Sequence, residues 1–167
     1  MTMALEPAVT ALEQLKNHAE VACLLAWNTA AVEGAKFDRN ELSIYVERMA
    51  IRGACTTLMN DSTLHYDALS DITCVDWIPT DPRFEVIYQL FSTVTKKFLR
   101  LKVRLAGDYP AVDSLTPLWP GANFFEREVF DLFGVRFNEH PNLKRIMMPD
   151  NWEGHPLRKD YPVEGYR

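Results

Sequence analysis

Apolar and polar positions alternate with a period of two in two stretches of this chain. Phe84, Val86, Tyr88 and Leu90 form one set, and Leu99, Leu101, Val103 and Leu105 the other. Such alternation places each set on one face of a strand, and the polar run Thr93 to Lys97 between them predicts a hairpin. In the second strand Arg100, Lys102 and Arg104 then share the opposite face, a basic stripe that reads either as a solvated strand face or as a docking surface for an acidic neighbour. Further strands are predicted at Glu41 to Val46 and in the second half of His65 to Asp76, and a helix at Arg48 to Asn60. Pro7 to about His18 reads as an amphipathic helix through Val9, Leu12 and Leu15, with Ala4 to Pro7 as a loose lead-in, and Val21 to Trp27 as a buried strand. Pro79 to Pro82 is a turn by composition, and Tyr109 to Pro120 a proline-rich connector with room for a helical turn about Ser114 to Trp119. The pattern is that of an α+β protein: a two-layer domain with a mixed or antiparallel sheet packed by helices.

The period changes after Asn123. Phe125, Val129, Leu132 and Phe133 fall at i, i+4, i+7 and i+8, one face of a helix starting near Phe124, with Phe124 and Phe130 widening the apolar surface. Asn123 and Glu126 form a capping-box variant at its start, and Gly134 supplies a left-handed stop. So apolar a helix leaves Glu126, Arg127, Glu128 and Asp131 crowded against protein, where charges must be paired. Arg127 and Asp131 are one available i, i+4 pair. The bland reading of the cluster is a set of helix ion pairs. The chemical reading is a metal site built from Glu126, Glu128, Asp131, His140 and His155 in a stand-alone hydrolase, but no two ligands stand at the tight, face-matched spacing that trusted metal motifs show.

Residues 140–167 have no sustained period and contain four of the ten prolines. Fully extended, they could reach roughly 90 Å. Leu143, Ile146, Met147, Met148, Trp152, Leu157 and Tyr161 are too many large apolar residues for a disordered linker. The segment therefore reads as an extended arm, residues 140–167, following a single domain, residues 1–139. It either wraps a partner or folds back over its own sheet. His140 and His155 each precede a proline and suit structural hydrogen bonding in extended backbone. Arg158, Lys159 and Asp160 read as interface ion pairs, with Arg158 best suited to a buried bidentate contact, and Trp152 and Tyr161 as anchors.

Composition bounds the function. With 167 residues, 47% hydrophobic and 25% charged, the chain supports one ordinary core. A net charge of −5 argues against general nucleic-acid binding. The longest apolar run, Val21 to Trp27, is too short for a membrane span, and the start of the chain lacks the basic and apolar blocks of a secretory signal. Cys23, Cys55 and Cys74 are too few and too scattered for a disulfide framework or a four-thiolate cluster, and no glycine-rich strand-to-helix turn marks a dinucleotide site.

The residues themselves carry a resemblance. Glu126-Arg127-Glu128, Asp131-Leu132-Phe133, His140, Lys144 and Ile146-Met147, at their spacing, resemble the signature of the thirty-kilodalton subunit family of respiratory complex I, the NADH:quinone oxidoreductase. Gly154 to Pro162 is similar to the family's C-terminal segment, and Asp71-Ile72-Thr73 with Val75-Asp76 to its central strand; the likeness spans roughly residues 65 to 163. One departure is Phe124, where many members carry Trp. The resemblance implies a non-catalytic, cofactor-free subunit in the hydrophilic arm of the enzyme, peripheral on the cytoplasmic face of a bacterial inner membrane. FMN and iron–sulfur clusters are then expected in partner subunits, and electrons pass from NADH to quinone with proton pumping by the whole complex. The implied partners are the large quinone-site subunit and the iron–sulfur subunits. The residues assigned to contact with them are Glu126, Arg127, Glu128, Asp131, His140, Arg145, Trp152, His155, Arg158, Lys159 and Tyr161. The same pattern covers the equivalent subunit of membrane-bound hydrogenases and of ferredoxin- or deazaflavin-linked quinone reductases.

Overall fold

A computed structural model describes residues 8–165. The alternating stretches form β4, Phe84–Phe91, and β5, Phe98–Leu105, paired antiparallel through the predicted hairpin. Phe84 faces Leu105, Val86 faces Val103 and Tyr88 faces Leu101, so the two apolar sets build one side of the sheet. β1, Val32–Asp38, β2, Glu41–Val46, and β3, Ala68–Asp76, complete a five-stranded sheet in the order β1-β2-β5-β4-β3. It is mixed, because β2 and β5 run parallel while all other neighbours are antiparallel. Its apolar side packs into one core with α3, Ile51–Asn60, and α4, Ala122–Phe133, through Ile51, Leu58, Val129 and Phe133. A small parallel pair, β6, Ala111–Asp113, and β7, Arg136–Asn138, brackets α4 in sequence.

The N-terminal part departs from the sequence reading. α1 is only Leu12–Leu15, and the part of the expected helix before residue 8 lies outside the described residues. The run expected as a buried strand is instead the C-terminal part of a helix, α2, Ala19–Trp27. A short apolar run does not distinguish strand from buried helix by period, and this one is rich in Ala and Leu, strong helix formers. Its one carboxylate, Glu20, is turned inward and accepts a hydrogen bond from the Tyr66 hydroxyl at 2.9 Å. β1 was not predicted: Gly34 and a register shift between Val32 and Gly34 break its alternation.

The Asn123 capping box does not form. α4 starts at Ala122 with Gly121 before it, no side chain caps its first turn, and Glu126 is drawn elsewhere. Gly134 does end the helix in the left-handed region, at φ 75°. Glu128 is exposed rather than crowded against protein, and Phe124, on the widened apolar surface, is exposed as well. The basic stripe is largely neutralised by its neighbours: Lys102 reaches Glu85 at 2.7 Å, Arg104 the same carboxylate at 3.5 Å, and Arg100 reaches Glu41 at 2.9 Å. That compensation favours the solvated-face reading.

Candidate functional site

The C-terminal half of α4 and the arm meet around one carboxylate. Asp131 is fully buried, and its Oδ2 accepts the backbone amides of Ile146, Met147 and Met148 at 3.0, 2.8 and 2.8 Å, while Oδ1 accepts from Arg145 Nη1 at 2.6 Å. Burial alone would raise its pKa. The Met148 amide, Arg145 and the other two amides outweigh burial and hold the carboxyl below its usual range. The expected Arg127–Asp131 pair is absent from the ion pairs of the described residues; Arg127 instead donates to the carbonyls of Lys144 and Arg145 at 3.1 and 3.0 Å.

A helix leaves its last four carbonyls without intrahelical donors. Here the arm and the stop glycine supply them. Phe130 O accepts from the Gly134 amide at 2.9 Å and Leu132 O from the Leu157 amide at 3.0 Å. Asp131 O accepts from Arg145 at 3.2 Å and lies 2.8 Å from His155 Nδ1, and Phe133 O accepts from Arg158 Nε at 2.6 Å. Two guanidinium groups thus sit where the helix dipole is negative. Gly134 is needed twice over, since a Cβ there would be strained at positive φ and would run into Arg158 and His155. Arg145 also gathers Trp152 O and Gly154 O at 2.9 and 3.0 Å, which fixes the path of the arm.

A second clasp ties the arm to the sheet. Arg83 lies between Asp76, at 2.7 Å, and Asp160, at 2.7 Å, and Asp76 Oδ2 also accepts the Lys159 amide at 3.0 Å. Burial opposes ionisation of Asp76, but the Arg83 hydrogen bonds and the Lys159 and Ile78 amides win and bring it down to about 2. Arg83 and Arg158 both lie over the Phe84 ring, at 4.8 and 5.2 Å. The expected ion pair of Asp160 therefore exists, but its partner is Arg83, and Arg158 binds a carbonyl rather than a carboxylate.

Glu126 heads a third cluster. Its carboxyl is fully buried, accepting from Ser114 Oγ and from the Leu115 amide, both at 2.6 Å. Burial outweighs those bonds and raises it to about 7. His140 lies 3.9 Å away; its Nδ1 accepts the Asn142 amide at 3.0 Å, which leaves Nε2 to donate toward Asn123 O at 3.3 Å. Both His140 and His155 are shifted down by burial first, so they sit as neutral hydrogen-bonding groups. Arg52 of α3 joins this corner by donating to Ser114 O at 3.1 Å and to Glu139 at 2.6 Å.

Of the residues singled out from sequence, Asp131, Arg145, His155 and Arg158 converge on the end of α4, with Arg127 alongside. Glu126 and His140 lie together nearer the start of α4, 3.9 Å apart, while Glu128 stands apart, exposed. Lys159 contributes its backbone amide, and the Tyr161 hydroxyl donates to Glu153 O at 3.3 Å. Arg83, Arg52 and Ser114 were missed, and only Asp76, within the Val75-Asp76 pair, was signalled. No group of three His, Cys, Asp or Glu suited to a metal ion occurs among the described residues. Alongside exposed polar residues such as Glu128, Lys144 and Glu153, the α4 and arm segment presents Phe124, Ile146, Met147, Trp152 and Leu157 to solvent. No helix of the described residues is long and apolar enough to cross a membrane.

Comparison with known proteins bears on the family and the fold. Residues 44–167 match the family described as respiratory-chain NADH dehydrogenase, 30 Kd subunit. Among curated proteins, an NADH-quinone oxidoreductase subunit from Roseiflexus sp. (strain RS-1) is 46% identical over 80% of this chain and 76% of its own length. Its counterpart from Roseiflexus castenholzii is 44% identical over 89% and 86%. Among solved structures, a trypsin-resistant fragment of Nqo5 aligns with TM-score 0.55 and 29% identity, covering 62% of this chain and 83% of the fragment. A chain of an archaeal membrane-bound sulfane sulfur reductase shares the fold, with TM-score 0.71 and 24% identity over 86% of this chain and 85% of that one. The chain belongs to the respiratory-chain NADH dehydrogenase 30 Kd subunit family.

Proposed function

We propose that this chain is a structural subunit of the hydrophilic arm of a proton-pumping NADH:quinone oxidoreductase. In this reading it carries no flavin, iron–sulfur cluster or catalytic residue, and sits on the cytoplasmic face of a bacterial inner membrane. Residues 140–167 then act as a docking arm for the large quinone-site subunit and the iron–sulfur subunits. The observation that carries the reading is the Asp131 junction. Its donors and acceptors are consumed in holding an irregular segment in one shape, and Ile146, Met147, Trp152 and Leu157 are left outward as contact residues. Glu126, Arg127, Asp131, His140, Arg145, His155 and Arg158 then serve docking by shaping the arm, and Glu128, Lys159, Trp152 and Tyr161 by touching the partner.

The test is to tag the chain, solubilise membranes in mild detergent and record the co-purifying subunits, flavin and iron–sulfur signals and NADH:quinone activity. A Met147→Ala/Trp152→Ala variant should keep its fold but lose most of that recovery. Recovery of the chain alone would refute the reading. Its fold likeness to the sulfane sulfur reductase chain supports a second reading, the equivalent subunit of another membrane-bound respiratory complex. Co-purification with electron-input subunits lacking NADH oxidation would favour it.

A further inference from the structure

We infer that the cleft between the β1–β2 turn and the tip of the β4–β5 hairpin docks an extended acidic segment of a neighbouring subunit; this rests on the assembly role proposed above. The cleft, of about 620 Å³, opens at the end of β4 and β5 opposite the Asp76–Arg83 clasp. Its apolar part is Phe37, Leu42 and Phe98. Phe98 is 58% exposed, yet its ring is held against Phe91 at 4.7 Å, so a large contact surface is already ordered before anything binds. Phe37 is likewise stacked with His18 at 5.0 Å.

The charges around the cleft divide into spent and unspent. Arg100 is bound to Glu41 and Gln89, and Glu20 to the Tyr66 hydroxyl. Lys96 and Lys97 line the cleft and make no ion pair among the described residues. With Glu20 buried and Glu41 paired to Arg100, the exposed and unpaired charge at the rim is two ammonium groups beside an exposed phenylalanine, and the charged lining residues Glu20, Glu41, Lys96, Lys97 and Arg100 leave a formal excess of one positive charge on a chain whose net charge is −5. This is the complement of a segment with carboxylates next to a large apolar side chain. A small anion would find no buried cation there, since both lysines are exposed. A polypeptide gains from covering Phe98 and reaches both lysines at once.

The experiment places photoreactive benzoylphenylalanine at position 98, and in a second version at position 147 of the arm, within the tagged, assembled complex. Irradiation is followed by peptide mapping. The expected result is one cross-link from position 98 to an acidic stretch of a neighbouring subunit, reduced about tenfold by Lys96→Glu/Lys97→Glu, which leaves the position-147 cross-link unchanged. A position-147 cross-link with none from position 98 would overturn the cleft and leave the arm reading intact. Absence of both would overturn both. Attachment of position 98 to phospholipid, or to a neutral or basic segment, would also overturn the inference.

Discussion

Asp131→Ala should do more damage than any other single substitution at the α4–arm junction. It removes the acceptor for three amides and one guanidinium, all within 3.0 Å, at a fully buried position. An orphaned buried donor costs about 1–3 kcal/mol, and breaking a buried ion pair about 3–5 kcal/mol. Ile146 and Met147 are exposed, so water can rescue part of the amide term, and Arg145 keeps three carbonyl acceptors. The sum is then about 3–5 kcal/mol, a large part of the roughly 5–15 kcal/mol that holds such a domain. Urea unfolding followed by circular dichroism measures the loss, and hydrogen exchange at residues 146–148 locates it. Because the folded carboxyl is held below its ordinary range, its contribution is complete above about pH 4 and is lost as acid protonates it. Unchanged exchange at 146–148 together with a stability loss under about 0.5 kcal/mol would refute the hub.

Other expectations follow from the same contacts. Glu126, raised to about 7, makes the folded state bind the extra proton, so its contribution to stability falls by roughly 3 kcal/mol as pH rises from about 4.5 through 7. Glu126→Gln should abolish that slope in pH-dependent melts and match or exceed the parent at pH 8. Gly134→Ala should cost about 2–3 kcal/mol in denaturant titration, strain plus displacement of Arg158 and His155, whereas Gly121→Ala, with open space and ordinary φ, should cost nothing. Arg83→Ala should release residues 155–165 to limited proteolysis while the sheet stays intact, and should bring Asp76 back up from about 2, seen by carboxyl NMR titration. Trp152→Ala should change the isolated chain's stability by under about 1 kcal/mol and still reduce recovery of the assembly.

The central hairpin was legible because β4 and β5 are buried on one face, and that forces a strict alternation. α4 was legible from its period and its stop glycine, but not its start: Glu126 is spent on Ser114 and Leu115, contacts across eleven or twelve residues that no local capping rule contains. α2 was misread because a helix with an inward carboxylate and outward alanines has no amphipathic signature to find. The charged residues of α4 and the arm were recognised as a group, whereas their partners were not. Arg83 reaches Asp160 over a separation of 77 residues, and pairing at that range is decided by topology.

The placement of charge at this junction gives its histidine, arginines and carboxylate a structural part in shaping the arm. A strand or helix satisfies its backbone through its own ladder, but an irregular arm has none and must borrow partners. Here Asp131 takes three of the arm's amides and Arg127 and Arg145 two of its carbonyls each, so three side chains supply what a ladder would, while Arg145, His155 and Arg158 reach back to the carbonyls of Asp131 and Phe133 at the end of α4. Had the arm been a strand, half of its side chains would have faced back onto the sheet. Freed from that alternation, Ile146, Met147, Trp152 and Leu157 are all turned toward solvent. The polar network therefore fixes an irregular segment and leaves these apolar side chains exposed.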